Sequence, residues 1–160
     1  MLSRQGATRR VSLALLCAGT LGLAAGCSSN SPSRAGEAAK GSGQAVKVNV
    51  RSVPGVGQVL VTGKGYVLYV FEPDHHRTVT CAGACAGTWP PLMESSGANL
   101  IGGPGVQQAL FGSDPDPVGG RVVTYAGWPL YTFAKDKDSG DAYGQGLGNN
   151  WWAVLVSRAK

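Results

Sequence analysis

Two stretches of this chain, 62 residues apart, share one vocabulary. "VGQVLVTGKGYVLYVFEPD" from Val56 aligns without a gap with "VGGRVVTYAGWPLYTFAKD" from Val118, and the same register carries Trp89 onto Trp151. Val56, Gly57, Val61, Thr62, Gly65, Leu68, Tyr69, Phe71 and Asp74 recur as Val118, Gly119, Val123, Thr124, Gly127, Leu130, Tyr131, Phe133 and Asp136. Ten identities in 34 positions, one of them a tryptophan, exceed coincidence. An internal repeat constrains the fold more than any composition does. A unit of so few residues cannot bury its own apolar face, so the two copies are predicted to pair across a pseudo-twofold.

Each copy opens with hairpin grammar. A β-branched run, a Gly-bounded turn and a second run with aromatics follow in "QVLVT-GKG-YVLYVF" and in "RVVT-YAG-WPLYTF". In the second run Leu68, Val70 and Glu72 alternate with Tyr69, Phe71 and Pro73, so Tyr69 and Phe71, like Tyr131 and Phe133, should share one face. Pro129 belongs at an edge or at the start of a strand. "AVKVNVRSV" from Ala45 is predicted as the first strand and "WWAVLVS" from Trp151 as the last. "CAGACAGTW" is predicted as one helical turn, "GVQQALFGS" as a short helix or turn, and "SDPDPVGG" as a loop. The fold class expected is one mainly-β domain over 45–160, with a first repeat at about 56–92 and a second at about 118–156.

The N-terminus reads as a targeting segment. Arg4, Arg9 and Arg10 precede fifteen apolar or small residues, 11 to 25, too few for the roughly 20 that span a bilayer as a helix. Residues 1–26 are therefore expected to be a signal peptide. "LAAGC" resembles the lipobox of bacterial lipoproteins, which implies that Cys27 becomes a lipidated N-terminus on the extracytoplasmic face of the cell membrane. Several acyl chains, at about 0.8 kcal/mol per buried CH2, anchor far more firmly than one. Residues 27–44, rich in Ser, Gly and Ala, read as a flexible linker. The chain is formally +5, but removal of three of its fourteen basic residues leaves eleven against nine acids. With no basic stripe, no nucleic-acid partner is expected.

Beyond Cys17 and Cys27 only Cys81 and Cys85 remain, and an isolated pair in an exported protein reads most simply as a disulfide. The alternative joins the two thiolates to His75 and His76 in a copper or zinc site serving a metal- or redox-handling envelope lipoprotein. Against it, the second copy carries Lys137, Asp138, Tyr143 and Leu147 at the four equivalent positions.

The motifs "GYVLYVFEPD", "CAGACAGTWPPL", "GWPLYTFAKDKDSGDAYGQG" and "WWAV" together resemble the bacterial secreted-repeat lipoproteins. That family carries paired Tyr-x-[Phe/Trp/Tyr]-x-x-Asp motifs and a Cys-x-Gly-x-Cys-Ala-x-x-Trp-Pro-Pro segment. What the resemblance implies is modest, since the family is of unknown function and brings no active site to transfer.

Asp74 and Asp136 are read as turn-capping residues, with a paired-carboxylate site as the alternative if the pseudo-symmetry brings them together. "DKDSGDAYGQG" faintly resembles a calcium loop but has the wrong spacing and no final Glu, so it reads as a solvated turn. Trp89, Trp128, Trp151 and Trp152 are assigned to packing, with stacking on a sugar as the alternative. No Ser/His/Asp pattern, phosphate loop or nucleotide fingerprint is present. The reading is a non-catalytic binding or structural module without a cofactor, its partner an envelope protein or a glycan.

Overall fold

A computed structural model describes residues 45–94 and 99–158. Cys27, the signal segment and the linker lie outside the described residues. The domain is mainly β: β1 Val46–Val53, β2 Gly57–Thr62, β3 Tyr69–Phe71, β4 Leu100–Gly102, β5 Phe111–Pro115, β6 Arg121–Tyr125, β7 Trp128–Pro129 and β8 Trp151–Ala153, with one short helix, α1, at Ala84–Thr88. They form sheets in the orders β2-β1-β4, β3-β8 and β5-β6-β7. Helix α1 is the turn expected from "CAGACAGTW". The last strand is shorter than expected, ending at Ala153 before a 3-10 turn at Val156–Arg158.

The two copies are interlocked. Tyr69 and Tyr131 exchange backbone hydrogen bonds, N to O, at 2.9 and 3.0 Å, which sets a local twofold axis between them. Around that axis each contact occurs twice. Glu72 N donates to Asn150 O at 2.8 Å, and Ala134 N to Thr88 O at 2.9 Å. Val154 N donates to Leu68 O at 2.9 Å, and Leu92 N to Leu130 O at 2.8 Å. The Tyr-x-Phe strand of each copy therefore pairs with the Trp segment of the other: β3 runs antiparallel to β8, with Phe71 opposite Trp151.

The backbone ladder corrects the ungapped alignment by one residue. Leu68 bonds Leu60, whereas Leu130 bonds Val123, so equivalent residues stand 63 apart before the turn and 62 apart after it. In the first copy Thr62 N bonds Tyr66 O around the three residues 63–65. In the second, Tyr125 pairs directly with Trp128 around a two-residue turn. That turn holds Ala126 at φ 51° and Gly127 at φ 81°, the positive pair that a tight hairpin of this twist requires. Burial of Tyr125 in the second core cluster offsets the cost of a left-handed alanine.

A second correction concerns "SDPDPVGG". Its first three residues belong to β5, paired with β6 from Phe111↔Tyr125 to Pro115↔Arg121, while a 3-10 turn occupies Gln108–Leu110. Asp and Pro are poor strand formers, but β5 is an edge strand, where Pro115 loses no ladder bond that a neighbour needs. The loop proper starts at Asp116, whose Oδ1 accepts from Val118 N at 2.8 Å. Pro129 lies on the edge strand β7, as its missing N–H demands.

Alternation divides the core in two. Tyr69, Tyr131, Phe133, Trp89 and Trp151 form one cluster with Val59, Val61 and Val67. Leu68 and Leu130, pointing the other way, join Val48, Leu60, Val123 and Tyr125. Strand β2 feeds both, with Val59 and Val61 on one side and Leu60 on the other.

Candidate functional site

The repeated hexamers meet at the axis, with their side chains exchanged. Tyr69 donates its hydroxyl to Asp136 Oδ2 at 2.7 Å, and Tyr131 donates to Asp74 Oδ2 at 2.5 Å. Each tyrosine thus bonds the aspartate of the other copy. Each aspartate spends its second oxygen on the loop that follows it. Asp74 Oδ1 accepts from Thr80 N at 2.7 Å and Thr80 Oγ1 at 2.6 Å, and Asp136 Oδ1 accepts from Tyr143 N at 3.0 Å. The loops return the contact, since Gly144 N donates to the Tyr69 hydroxyl at 3.3 Å and Cys81 N to that of Tyr131. The expected turn-capping role is there, but it is half of what these residues do.

Asp74 is fully buried and Asp136 only 5 % exposed. Burial, reinforced by the accepting carboxylate, pushes both phenols well above the usual tyrosine range. Burial also raises the Asp136 carboxyl, against the hydrogen bonds from Tyr69 and Tyr143 that lower it. Both aspartates are buried, and each of their carboxylate oxygens already accepts a hydrogen bond. The two carboxylates form separate Tyr–Asp locks and not one acid/base pair.

The tryptophans divide into two roles. Trp89 and Trp151 lie parallel across the axis, with centroids 3.8 Å apart and planes 3° apart. Phe71 stacks on the outer face of Trp151, and Phe133 on that of Trp89, each at 4.2 Å. Tyr69 and Tyr131 abut Trp89 and Trp151 edge-on at 5.4 and 5.3 Å. This six-ring cluster is core. Trp128 and Trp152 are not part of it: both are half-buried and line a cleft of about 450 Å3 with Tyr125, Val154, Glu72 and His76.

Cys81 and Cys85 are joined as a disulfide across the base of α1. Its role is local, because it pins the loop whose Thr80 and Cys81 amides serve Asp74 and Tyr131. The bond corrects the alternative metal set, since two oxidised sulfurs offer no thiolates to join His75 and His76. Among the described residues no three His, Cys, Asp or Glu side chains converge in a metal-binding group. His75 and His76 are both exposed.

In the calcium-like stretch, Asp141 Oδ2 caps the backbone by accepting from Lys137 N at 3.0 Å and Asp138 N at 2.9 Å, while Asp136 faces inward to Tyr69. These carboxylates close a turn. Sequence reasoning missed Thr80 and Gly144. Gly144 carried a physical signal only in three dimensions: a Cβ there would lie 2.8 Å from both Trp89 and Tyr69.

Comparison with known proteins agrees with this duplicated architecture. No curated protein and no solved structure matches the chain. A family described as a secreted repeat of unknown function matches residues 52–93 and 114–155, two segments that together span just over half of the chain and recur at the 62-residue spacing. A secreted repeat works outside the cytoplasm. The chain belongs to that family of secreted repeats, as two interlocked copies of its unit.

Proposed function

We propose that this protein is a non-catalytic binding module, tethered through a lipid on Cys27 to the extracytoplasmic face of the cell membrane. One observation carries the non-catalytic half of the reading. The residues that define the repeat, including both of its aspartates, are consumed inside the core by reciprocal bonds between the copies. What they accomplish is the joining of two small units into one stable body, and surface-exposed, copy-specific residues are left to meet a partner. The signal-like N-terminus and "LAAGC" support the anchor.

Intact-mass analysis of the N-terminal peptide from membranes of the producing cell tests the anchor. A thioether-linked diacylglycerol on Cys27 is expected, and Cys27→Ala should shift the chain from the membrane fraction to the soluble one. An unmodified Cys27 on a membrane-free chain would contradict it.

A further inference from the structure

The duplication supplies an internal control. Residues that both copies keep serve the shared architecture, whereas residues kept by one copy at an equivalent place are free to serve a ligand. Applied to the surface, this separates two related clefts. One is the cleft of about 450 Å3 between Trp128 and Trp152. The other, about 740 Å3, is lined by Thr62, Gly63, Tyr66 and Leu92, which are the first-copy counterparts of Tyr125, Ala126, Trp128 and Val154. There the flanking side chains are Lys47 and Lys64. Trp152 has Pro90 as its counterpart, Glu72 has Ala134 and His76 has Asp138. The fold is therefore content without the two indoles, the carboxylate or the imidazole, and all four converge on one cleft.

The rim residue His76 is also held in place. It sits between two non-glycine residues of positive φ, His75 at 50° and Arg77 at 64°. Such conformations cost about 1–3 kcal/mol each and persist where surrounding structure holds them. Here Arg77 N donates to Gly127 O at 2.9 Å, tying the segment to the β6–β7 turn. Gly127, at φ 81°, adopts a backbone conformation that favours glycine, and a Cβ there would lie 2.8 Å from His76 Nδ1. His76 in turn lies 4.9 Å from Trp128, ring to ring, at 52°.

Resting on the reading of the chain as an extracytoplasmic binding module, we infer that the Trp128–Trp152 cleft binds a sugar ring of an envelope glycan. Indole faces match the apolar C–H faces of a pyranose, while Glu72 accepts from its hydroxyls and His76 can donate or accept. The volume falls within the range of small-molecule sites, roughly 300–1,000 Å3, which are mostly apolar with a few placed polar groups. A quaternary ammonium ion would also meet aromatic faces and a carboxylate. It is too compact to fill this volume and has no use for the imidazole.

The test is isothermal titration of the full-length chain in detergent with three probes: the tetramer of N-acetylglucosamine, cellotetraose and tetramethylammonium. Saturable binding of one of the two oligosaccharides is expected. Trp128→Ala should weaken it by about tenfold or more and Glu72→Gln by about threefold, the second being an exposed residue whose replacement leaves the fold intact. Tyr66→Ala in the related cleft should leave it unchanged, with thermal melting confirming each fold. The inference is overturned if neither oligosaccharide binds, if binding survives both Trp128→Ala and Glu72→Gln, or if tetramethylammonium alone binds. A chain lipidated on Cys27 that binds no sugar would remove this inference and leave the anchor standing, and an unlipidated chain that binds sugar would do the reverse.

Discussion

Tyr69 bonds Asp136, 67 residues away, and leaves Asp74, the aspartate of its own hexamer, to Tyr131. In this chain the Tyr-x-Phe-x-x-Asp phrase is thus one half of an exchanged pair, complete only when both copies are present. Burial makes the pair consequential, because a carboxylate with a missing donor in the core bears a desolvation penalty that water does not relieve.

Removing one hydroxyl should therefore destabilise the whole domain. Tyr69→Phe and Tyr131→Phe each strip a donor from a buried carboxylate and are expected to cost about 1–3 kcal/mol in urea unfolding. A loss under a few tenths of a kcal/mol in both variants would mean that the hydroxyls are dispensable.

The phenols have their own pH signature. Both are raised above the usual tyrosine range by burial, with the carboxylates adding to it. A raised folded-state pKa stabilises the fold below the unfolded value, about pH 10, and that contribution is lost as pH rises through the folded one. Spectrophotometric titration should find that Tyr69 and Tyr131 ionise only with alkaline unfolding. Tyr69→Phe should reduce that group to one. Ionisation of Tyr69 and Tyr131 near pH 10 in the folded chain is the contrary result.

Asp136 is raised as well, chiefly by burial. Its protonated form is therefore favoured by folding, and its contribution to stability grows as pH falls from neutrality through the folded pKa towards the unfolded value near pH 4. Asp136→Asn, which does not titrate, should accordingly cost more at acid than at neutral pH when the two chains are compared by urea unfolding. A cost that shrinks with acidification would reverse the assigned sign.

Interlocking makes a further demand. Because β3 pairs with β8 and Leu92 with Leu130, a cut between the repeats takes these partners from each half, although the sheets β2-β1-β4 and β5-β6-β7 each stay within one fragment. Fragments 1–106 and 107–160, expressed separately, should show no dispersed amide spectrum, and mixing them should restore one. A fragment that folds alone would show that each copy closes on itself.

Much of this was legible beforehand, and the reasons differ from residue to residue. Period-two alternation sufficed to put Tyr69 and Phe71 on one face, and oxidising export sufficed to pair Cys81 with Cys85. The exchange of aspartates was not legible, since identical motifs bond equally well within or between copies and only the topology decides. The short strand at Phe111–Pro115 was hidden by Asp114 and Pro115, whose propensities read as loop until pairing with β6 overrides them. The turn at Ala126–Gly127 was misread for a related reason. A glycine aligned with Gly65 implied the same three-residue loop, but burial of Tyr125 draws it into the strand and shortens the turn. Of the four tryptophans only Trp89 and Trp151 recur in the repeat, yet the sequence alone assigns all four to packing. The 3.8 Å stack shows Trp89 and Trp151 building the core, whereas Trp128 and Trp152 line the cleft.

The motif works across copies, and a pair of double-mutant cycles measures that coupling. Tyr69→Phe and Asp136→Asn, alone and together, should show a coupling of about 0.5–3 kcal/mol in unfolding free energy, as residues in direct contact do. Tyr69→Phe with Asp74→Asn, which pairs the two residues of a single hexamer, should be additive within measurement error. Additivity in the first cycle and coupling in the second would place each lock inside its own copy and contradict the exchange.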